Sequence, residues 1–142
     1  MATGNIGHMQ VNINMKNAAF YKEFLALFGW KTLCDAEIAP GKYLLGIEDA
    51  NKTSLWFCDP MKKVDNDYDG IGLNHIGISV PSQAAVDEAV DFLKKHNIPA
   101  LFETPRHRPE FCDSPANTYY QVMFESPDRI LFEVVYTGPK QS

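Results

Sequence analysis

His8 and His75 occupy the same place in two copies of one strand-like phrase, Ile6-Gly7-His8-Met9-Gln10-Val11-Asn12-Ile13 and Leu73-Asn74-His75-Ile76-Gly77-Ile78-Ser79-Val80. Successive strand residues point to opposite faces, so Met9, Val11, Ile13 and Met15 share one face of the first copy while His8, Gln10, Asn12 and Asn14 share the other. The second copy keeps that phase, with Ile76, Ile78 and Val80 toward the core and His75, Gly77 and Ser79 opposite. A third chemical residue, Glu133, lies in Ile130-Leu131-Phe132-Glu133-Val134-Val135-Tyr136, where burial of a carboxylate is costly without a partner. A cation would supply that partner, because two imidazoles and one carboxylate bind a divalent metal and leave coordination positions open. The alternative is that Glu133 pairs with a lysine or arginine, for example Arg106 or Arg108, and that the histidines line a cavity as ordinary residues.

The elements that must position these residues also repeat. After the first phrase Asn17 can cap a helix in which Phe20, Phe24, Leu27 and Phe28 fall at i, i+4, i+7 and i+8, and Gly29 ends it. After the second, Pro81-Ser82 opens a helix carrying Val86, Val90 and Leu93 at i, i+4 and i+7, closed by Asn97 and Pro99. Short apolar runs separated by turn residues follow at 31–34, 43–47 and 54–58, and again at 100–103, 119–124 and 130–136. This predicts a βαβββ module twice, at 4–60 and 71–138. The polar stretch 61–70 is expected to be a solvated linker inside a single domain of 1–142, since each half alone is small for a core.

Composition excludes several classes of partner. The chain has 142 residues, 45% hydrophobic and 22% charged, which suits one packed domain without a disordered tract. A net charge of -5 and the absence of a basic stripe argue against nucleic acid. No stretch approaches the ~20 apolar residues that span a bilayer, and the first residues read as no signal segment, so a membrane is not expected. Cys34, Cys58 and Cys112 are odd in number and widely spaced, which fits reduced thiols in a cytoplasmic protein.

The paired modules, the histidine on the first strand of each, the phrase Ala19-Phe20-Tyr21 leading to Leu27-Phe28-Gly29-Trp30, and the ending Phe124-Glu125-Ser126-Pro127-Asp128-Arg129-Ile130-Leu131-Phe132-Glu133 resemble the vicinal oxygen chelate superfamily. That superfamily includes glyoxalase I, extradiol dioxygenases, methylmalonyl-CoA epimerase and the fosfomycin- and bleomycin-resistance proteins. The resemblance covers nearly the whole chain. It implies an α+β fold of two tandem βαβββ modules forming a curled mixed-sheet cup, and a substrate that chelates a metal through adjacent oxygens. It also implies a homodimer.

Three of the family's four ligand positions match His8, His75 and Glu133, whereas the fourth falls at Trp56. Trp56 neither ligates nor exchanges a proton, so the pattern departs from glyoxalase I and the epimerase. The dioxygenase tyrosine position reads Met123, with Tyr119 and Tyr120 nearby but out of register. The strand Ser54-Leu55-Trp56-Phe57-Cys58 resembles the corresponding strand of the fosfomycin enzymes, although their basic phosphonate-binding end is not matched.

The stretch 105–115 makes the second module longer than the first, and mixed-charge loops of this kind often carry specificity. Arg106, His107 and Arg108 could attract a substrate carboxylate or phosphate there, and His107 is the candidate general acid or base. A solvated, proline-stiffened surface loop is the competing reading. His96 is expected at its helix C-terminus. Trp56 and Tyr120 are candidate cavity-lining aromatics for substrate, core residues by default. The expected function is therefore a metal-dependent enzyme on a small oxygenated substrate, of lyase, isomerase, dioxygenase or epoxide-opening type. Fe, Mn, Zn, Ni or Co would all suit the donors. The other expectation is a metal-free protein that sequesters a ligand, as the bleomycin-resistance members do.

Overall fold

The computed structural model describes all 142 residues, and they form two compact units, Met1–Val64 and Asp65–Ser142. Each unit is one βαβββ module.

In the first, β1 (His8–Asn12) is followed by a 3₁₀ turn (Met15–Asn17), α1 (Ala18–Ala26), β2 (Lys31–Ala39), β3 (Lys42–Glu48) and β4 (Ser54–Cys58). The sheet order is β1-β4-β3-β2, with β1 parallel to β4 and the other pairs antiparallel. Tyr21, Phe24 and Leu25 of α1 are fully buried together with Leu45, Leu55 and Phe57 of the sheet, and the Tyr21 and Phe57 rings stack at 4.6 Å. The cap differs from the expected one. Asn17 makes no capping bond, because a 3₁₀ turn precedes α1 and Asn14 Oδ1 accepts from the Lys16 backbone N–H at 3.2 Å. Gly29, at φ +75, turns the chain out of the helix as expected.

The second unit contains β5 (His75–Ser79), α2 (Gln83–Lys95), β6 (Leu101–His107), a 3₁₀ turn (Pro109–Phe111), β7 (Asn117–Glu125) and β8 (Leu131–Pro139). Its order, β5-β8-β7-β6, repeats the first sheet, again with one parallel pair, β5 on β8. Both sheets are open at their edges. Along β5 the burial alternates as the sequence phase requires, with Ile76 and Ile78 buried and His75, Gly77 and Ser79 exposed. Val86, Ala89 and Leu93 of α2 are buried with Val122, Phe124, Phe132 and Val134 of the sheet, and the Phe124 and Phe132 rings stack at 5.6 Å. The α2 cap is the expected Ser82, whose Oγ accepts from the Ala85 N–H at 3.1 Å. Ser82→Ala should cost about 1 kcal/mol in urea unfolding, whereas exposed Asp91→Ala should change it by less than about 0.5 kcal/mol. His96 Nδ1 lies 2.9 Å from the Phe92 carbonyl, at the helix C-terminus.

Residues 65–70 of the stretch read as a linker belong structurally to the second unit. The Tyr68 hydroxyl bonds the Glu125 carboxylate, and Asn66 Nδ2 donates to the Arg129 carbonyl at 2.8 Å.

Candidate functional site

Glu133 sits on β8, an inner strand, between Gly77 of β5 and Met123 of β7. It is only 4% exposed, so its charge needs partners. Neither Arg106 nor Arg108 provides one: Arg106 bonds Glu103 at 3.4 Å, and Arg108 bonds Glu110 at 2.7 Å. Instead Glu133 Oε1 accepts from the Tyr119 hydroxyl at 2.8 Å and from Gln121 Nε2 at 2.6 Å. Its other oxygen, Oε2, faces His75 Nε2 at 3.1 Å.

The protonation of His75 follows from its other neighbour. Asn74 Nδ2 donates to the Tyr68 carbonyl at 2.9 Å, which turns Asn74 Oδ1 toward His75 Nδ1 at 2.7 Å. An amide oxygen only accepts, so Nδ1 carries the proton. In the neutral ring Nε2 is then a bare lone pair directed at a carboxylate oxygen. A proton or a metal ion has to accompany that contact, since two acceptors at this distance repel. Outer partners that fix a ring tautomer in this way are the usual support of a metal-binding histidine. Tyr119 keeps its proton, because burial and then its bond to Glu133 push its pKa up to about 12.

These groups line a cavity of about 740 Å³ in the second unit, with Arg106, Arg108, Phe102, Phe111, Met123 and Leu131 also on its wall. The Arg108 guanidinium lies 5.3 Å from the Phe111 ring centroid, and Phe111 meets Tyr119 edge to face at 5.1 Å. The segment holding the arginines is more regular than the expected loop, since β6 runs through His107 and Arg106 pairs with Gln121 of β7.

Strand alternation separates the sequence candidates. His75, Glu133, Arg106 and Arg108 reach the cavity; His107 and Tyr120, which pair across β6 and β7, do not. His107 Nδ1 lies 2.6 Å from Thr118 Oγ1, and the Tyr120 hydroxyl donates to Asp87 on α2 at 2.7 Å. His107, the expected general acid or base, and Tyr120, the expected substrate contact, thus both occupy the other face of the sheet, away from this cavity. Burial and then the bond to Asp87 push the Tyr120 pKa from near 10 up to about 12. The folded state holds this proton more tightly than the unfolded chain. The resulting stability is complete below about pH 10 and is lost as pH rises toward 12, which Tyr120→Phe should diminish in alkaline unfolding curves.

His8 and Trp56 belong to the first unit and share a face of its sheet, His8 opposite Ser54 and Gln10 opposite Trp56. The Trp56 ring lies over Gly46, and its Nε1 donates to Ser54 Oγ at 2.9 Å. A Cβ on Gly46 would meet that ring at 2.5 Å. Gly46→Ala should thus lower stability by about 1–3 kcal/mol in denaturant unfolding, and Trp56→Leu should remove most of that penalty. Within neither unit do three His, Cys, Asp or Glu side chains gather as a metal-binding set.

Sequence reasoning passed over Tyr119, Gln121 and Asn74. The signal was present in the phase: Tyr119, Gln121 and Met123 alternate on β7, and Met123 pairs with Glu133. Three residues in one phase beside a buried carboxylate must share its face.

No protein-family model matches the chain, and no curated protein does. Solved structures do match. A candidate glyoxalase from Bacillus halodurans is 25% identical, with a TM-score of 0.75 over 94% of this chain and 96% of that one. A glyoxylase/bleomycin resistance protein/dioxygenase domain from Frankia is 16% identical, with a TM-score of 0.69 over 99% and 96%. This is the vicinal oxygen chelate fold. Another protein with this fold, the fosfomycin resistance protein FosX from Listeria monocytogenes, is 15% identical, with a TM-score of 0.63 over 95% and 91%. A FosX variant was solved with Mn(II) and 1S,2S-dihydroxypropylphosphonic acid. At these identities the vicinal oxygen chelate likeness establishes the fold of the two modules, while the chemistry has to be argued from the side chains.

Proposed function

We propose that this protein is a metal-dependent enzyme acting on a small oxygenated substrate held in the second-module cavity. The observation that carries the reading is the contact of His75 Nε2 with Glu133 Oε2 at 3.1 Å, with Nδ1 already committed to Asn74. An imidazole nitrogen and a carboxylate oxygen suit Mn, Fe, Zn, Ni or Co. The metal-bound FosX variant supports a divalent ion in proteins of this fold. When bound, such an ion polarises substrate oxygens and stabilises negative charge that develops on them. Tyr119 and Gln121 fix the Glu133 carboxylate, Asn74 fixes the His75 ring, and Arg106 and Arg108 supply positive charge for an anionic substrate group. Trp56, where a proton-transfer ligand would stand, argues against plain glyoxalase I chemistry. We place the protein in the cytoplasm, as a homodimer.

A metal-free ligand-sequestering protein is the second reading. It is favoured by the saturation of Glu133: Tyr119 and Gln121 satisfy one oxygen, and a protonated His75 would satisfy the other. Comparison of His75→Ala with the parent separates the two. The enzyme reading expects loss of metal retention and of turnover in a screen of dicarbonyl, catechol and epoxide substrates. Unchanged ligand affinity, with no metal-dependent turnover in either protein, would establish sequestration instead.

A further inference from the structure

Residues 65–74 form a strap beside His75, and Tyr68, Asp69 and Asn74 of the strap stand on the cavity wall. No residue of the strap is buried, and its apolar members Ile71 and Leu73 are exposed, so hydrophobic packing contributes little to holding it. Side-chain hydrogen bonds hold it instead. Asn66 Nδ2 donates to the Arg129 carbonyl at 2.8 Å, and the Tyr68 hydroxyl donates to Glu125 Oε1. The bond to Glu125 pushes the Tyr68 pKa up, so the phenol remains a donor at neutral pH. Both anchors sit at the turn between β7 and β8, which buried Ser126 stiffens: its hydroxyl accepts from the Ile130 N–H at 3.1 Å and the Asp128 N–H at 3.3 Å.

The strap decides which way Asn74 faces. An amide offers an oxygen on one side and N–H groups on the other, and the Tyr68 carbonyl, accepting from Asn74 Nδ2 at 2.9 Å, tells the two apart. With that carbonyl in place, Asn74 Oδ1 faces His75 Nδ1 at 2.7 Å and the ring proton stays on Nδ1. If the carbonyl moves off, half a turn of the amide presents an N–H to Nδ1, which accepts it as a bare nitrogen, and the ring proton passes to Nε2. Nε2 then donates to Glu133 Oε2, 3.1 Å away, and both side chains are satisfied without a cation. The pair therefore has two hydrogen-bonded states, one open to a metal ion and one closed on itself.

We infer that Tyr68 is a positioning residue for this site: its hydroxyl, by holding the strap on Glu125, keeps the Asn74 amide turned so that His75 Nε2 stays available to a cation. Tyr68 acts through its own backbone carbonyl and through Asn74. The inference rests on the reading of His75 and Glu133 as metal donors, and it places control of that pair in a segment outside the sheet.

The test uses Tyr68→Phe, Glu125→Ala and Glu125→Gln, the last of which keeps an acceptor oxygen for the Tyr68 hydroxyl. Nitrogen-15 NMR of the histidine rings, on chelator-treated full-length protein at about pH 8.5, above the ordinary histidine range, reads which His75 nitrogen carries a proton. Nδ1 should be protonated in the parent and in Glu125→Gln. In Tyr68→Phe and Glu125→Ala its signal should move toward that of a bare nitrogen. Calorimetric titration of the same preparations with Zn(II) should show about tenfold weaker binding in Tyr68→Phe and Glu125→Ala, and a change within about threefold in Glu125→Gln. Parent-like Nδ1 protonation in Tyr68→Phe and Glu125→Ala would overturn the inference while leaving the metal reading intact, whether or not their thermal stability falls. A change at Nδ1 with no loss of Zn(II) affinity would also overturn it. A parent that binds no Zn(II) would overturn the metal reading and the inference with it.

Discussion

Glu133→Gln should weaken divalent-metal binding at least about 100-fold relative to the parent, and metal-dependent turnover should fall with it. Loss of even an outer-shell partner typically weakens metal sites by about 10–100-fold, and Glu133 is placed here as a direct donor. The substitution is nearly isosteric, and a glutamine oxygen can still accept from Tyr119 and Gln121, whose bonds to Glu133 are 2.8 and 2.6 Å. Denaturant stability should consequently change far less than metal affinity. Calorimetric titration with Mn(II) and Zn(II), beside urea unfolding of the same preparations, checks both halves of the expectation. Unaltered metal affinity in Glu133→Gln would show that the carboxylate serves only the hydrogen-bond network.

Phe132→Ala, one residue earlier, should do the opposite and destabilise the second unit by about 3–5 kcal/mol. Phe132 is fully buried and stacks on Phe124, its register partner across β7 and β8. Truncation removes the apolar contact area and leaves a cavity that inner strands cannot readily collapse. Against a typical domain stability of about 5–15 kcal/mol, this is a large fraction. Phe111→Ala, at a ring that is 57% exposed, should shift unfolding by less than about 1 kcal/mol. Comparable losses in the two variants would contradict the assigned division between core face and cavity face.

That division was legible in the sequence on some strands and hidden on others. Along β5, Ile76 and Ile78 alternate with His75, Gly77 and Ser79, so apolar period fixes the faces. On β8 the run Leu131 to Tyr136 is buried throughout, and β7 offers Tyr119 and Tyr120 side by side. Composition cannot phase such strands. Only pairing with a residue of known face can, and Met123 opposite Glu133 sends Tyr119 and Gln121 to the cavity and Tyr120 to Asp87. The same parity moves His107 away from the site. Its promise as a proton carrier came from residue type and from reading 105–115 as a loop, whereas β6 continues through it. The module repeat was readable because equivalent strands carry equivalent apolar spacing. The Asn74 contact that sets the His75 tautomer was not, since it depends on Tyr68, which folds back from a polar stretch with no periodic signal.

The central claim is that His75 and Glu133 hold a divalent cation. Its most direct test is metal content per chain, by mass spectrometry, on protein purified without a histidine tag beside a His75→Ala, Glu133→Ala double variant. The account predicts near-stoichiometric metal in the parent and none in the variant. A parent that retains no metal after incubation with Mn, Fe, Zn or Ni, or a double variant that retains as much as the parent, would contradict it.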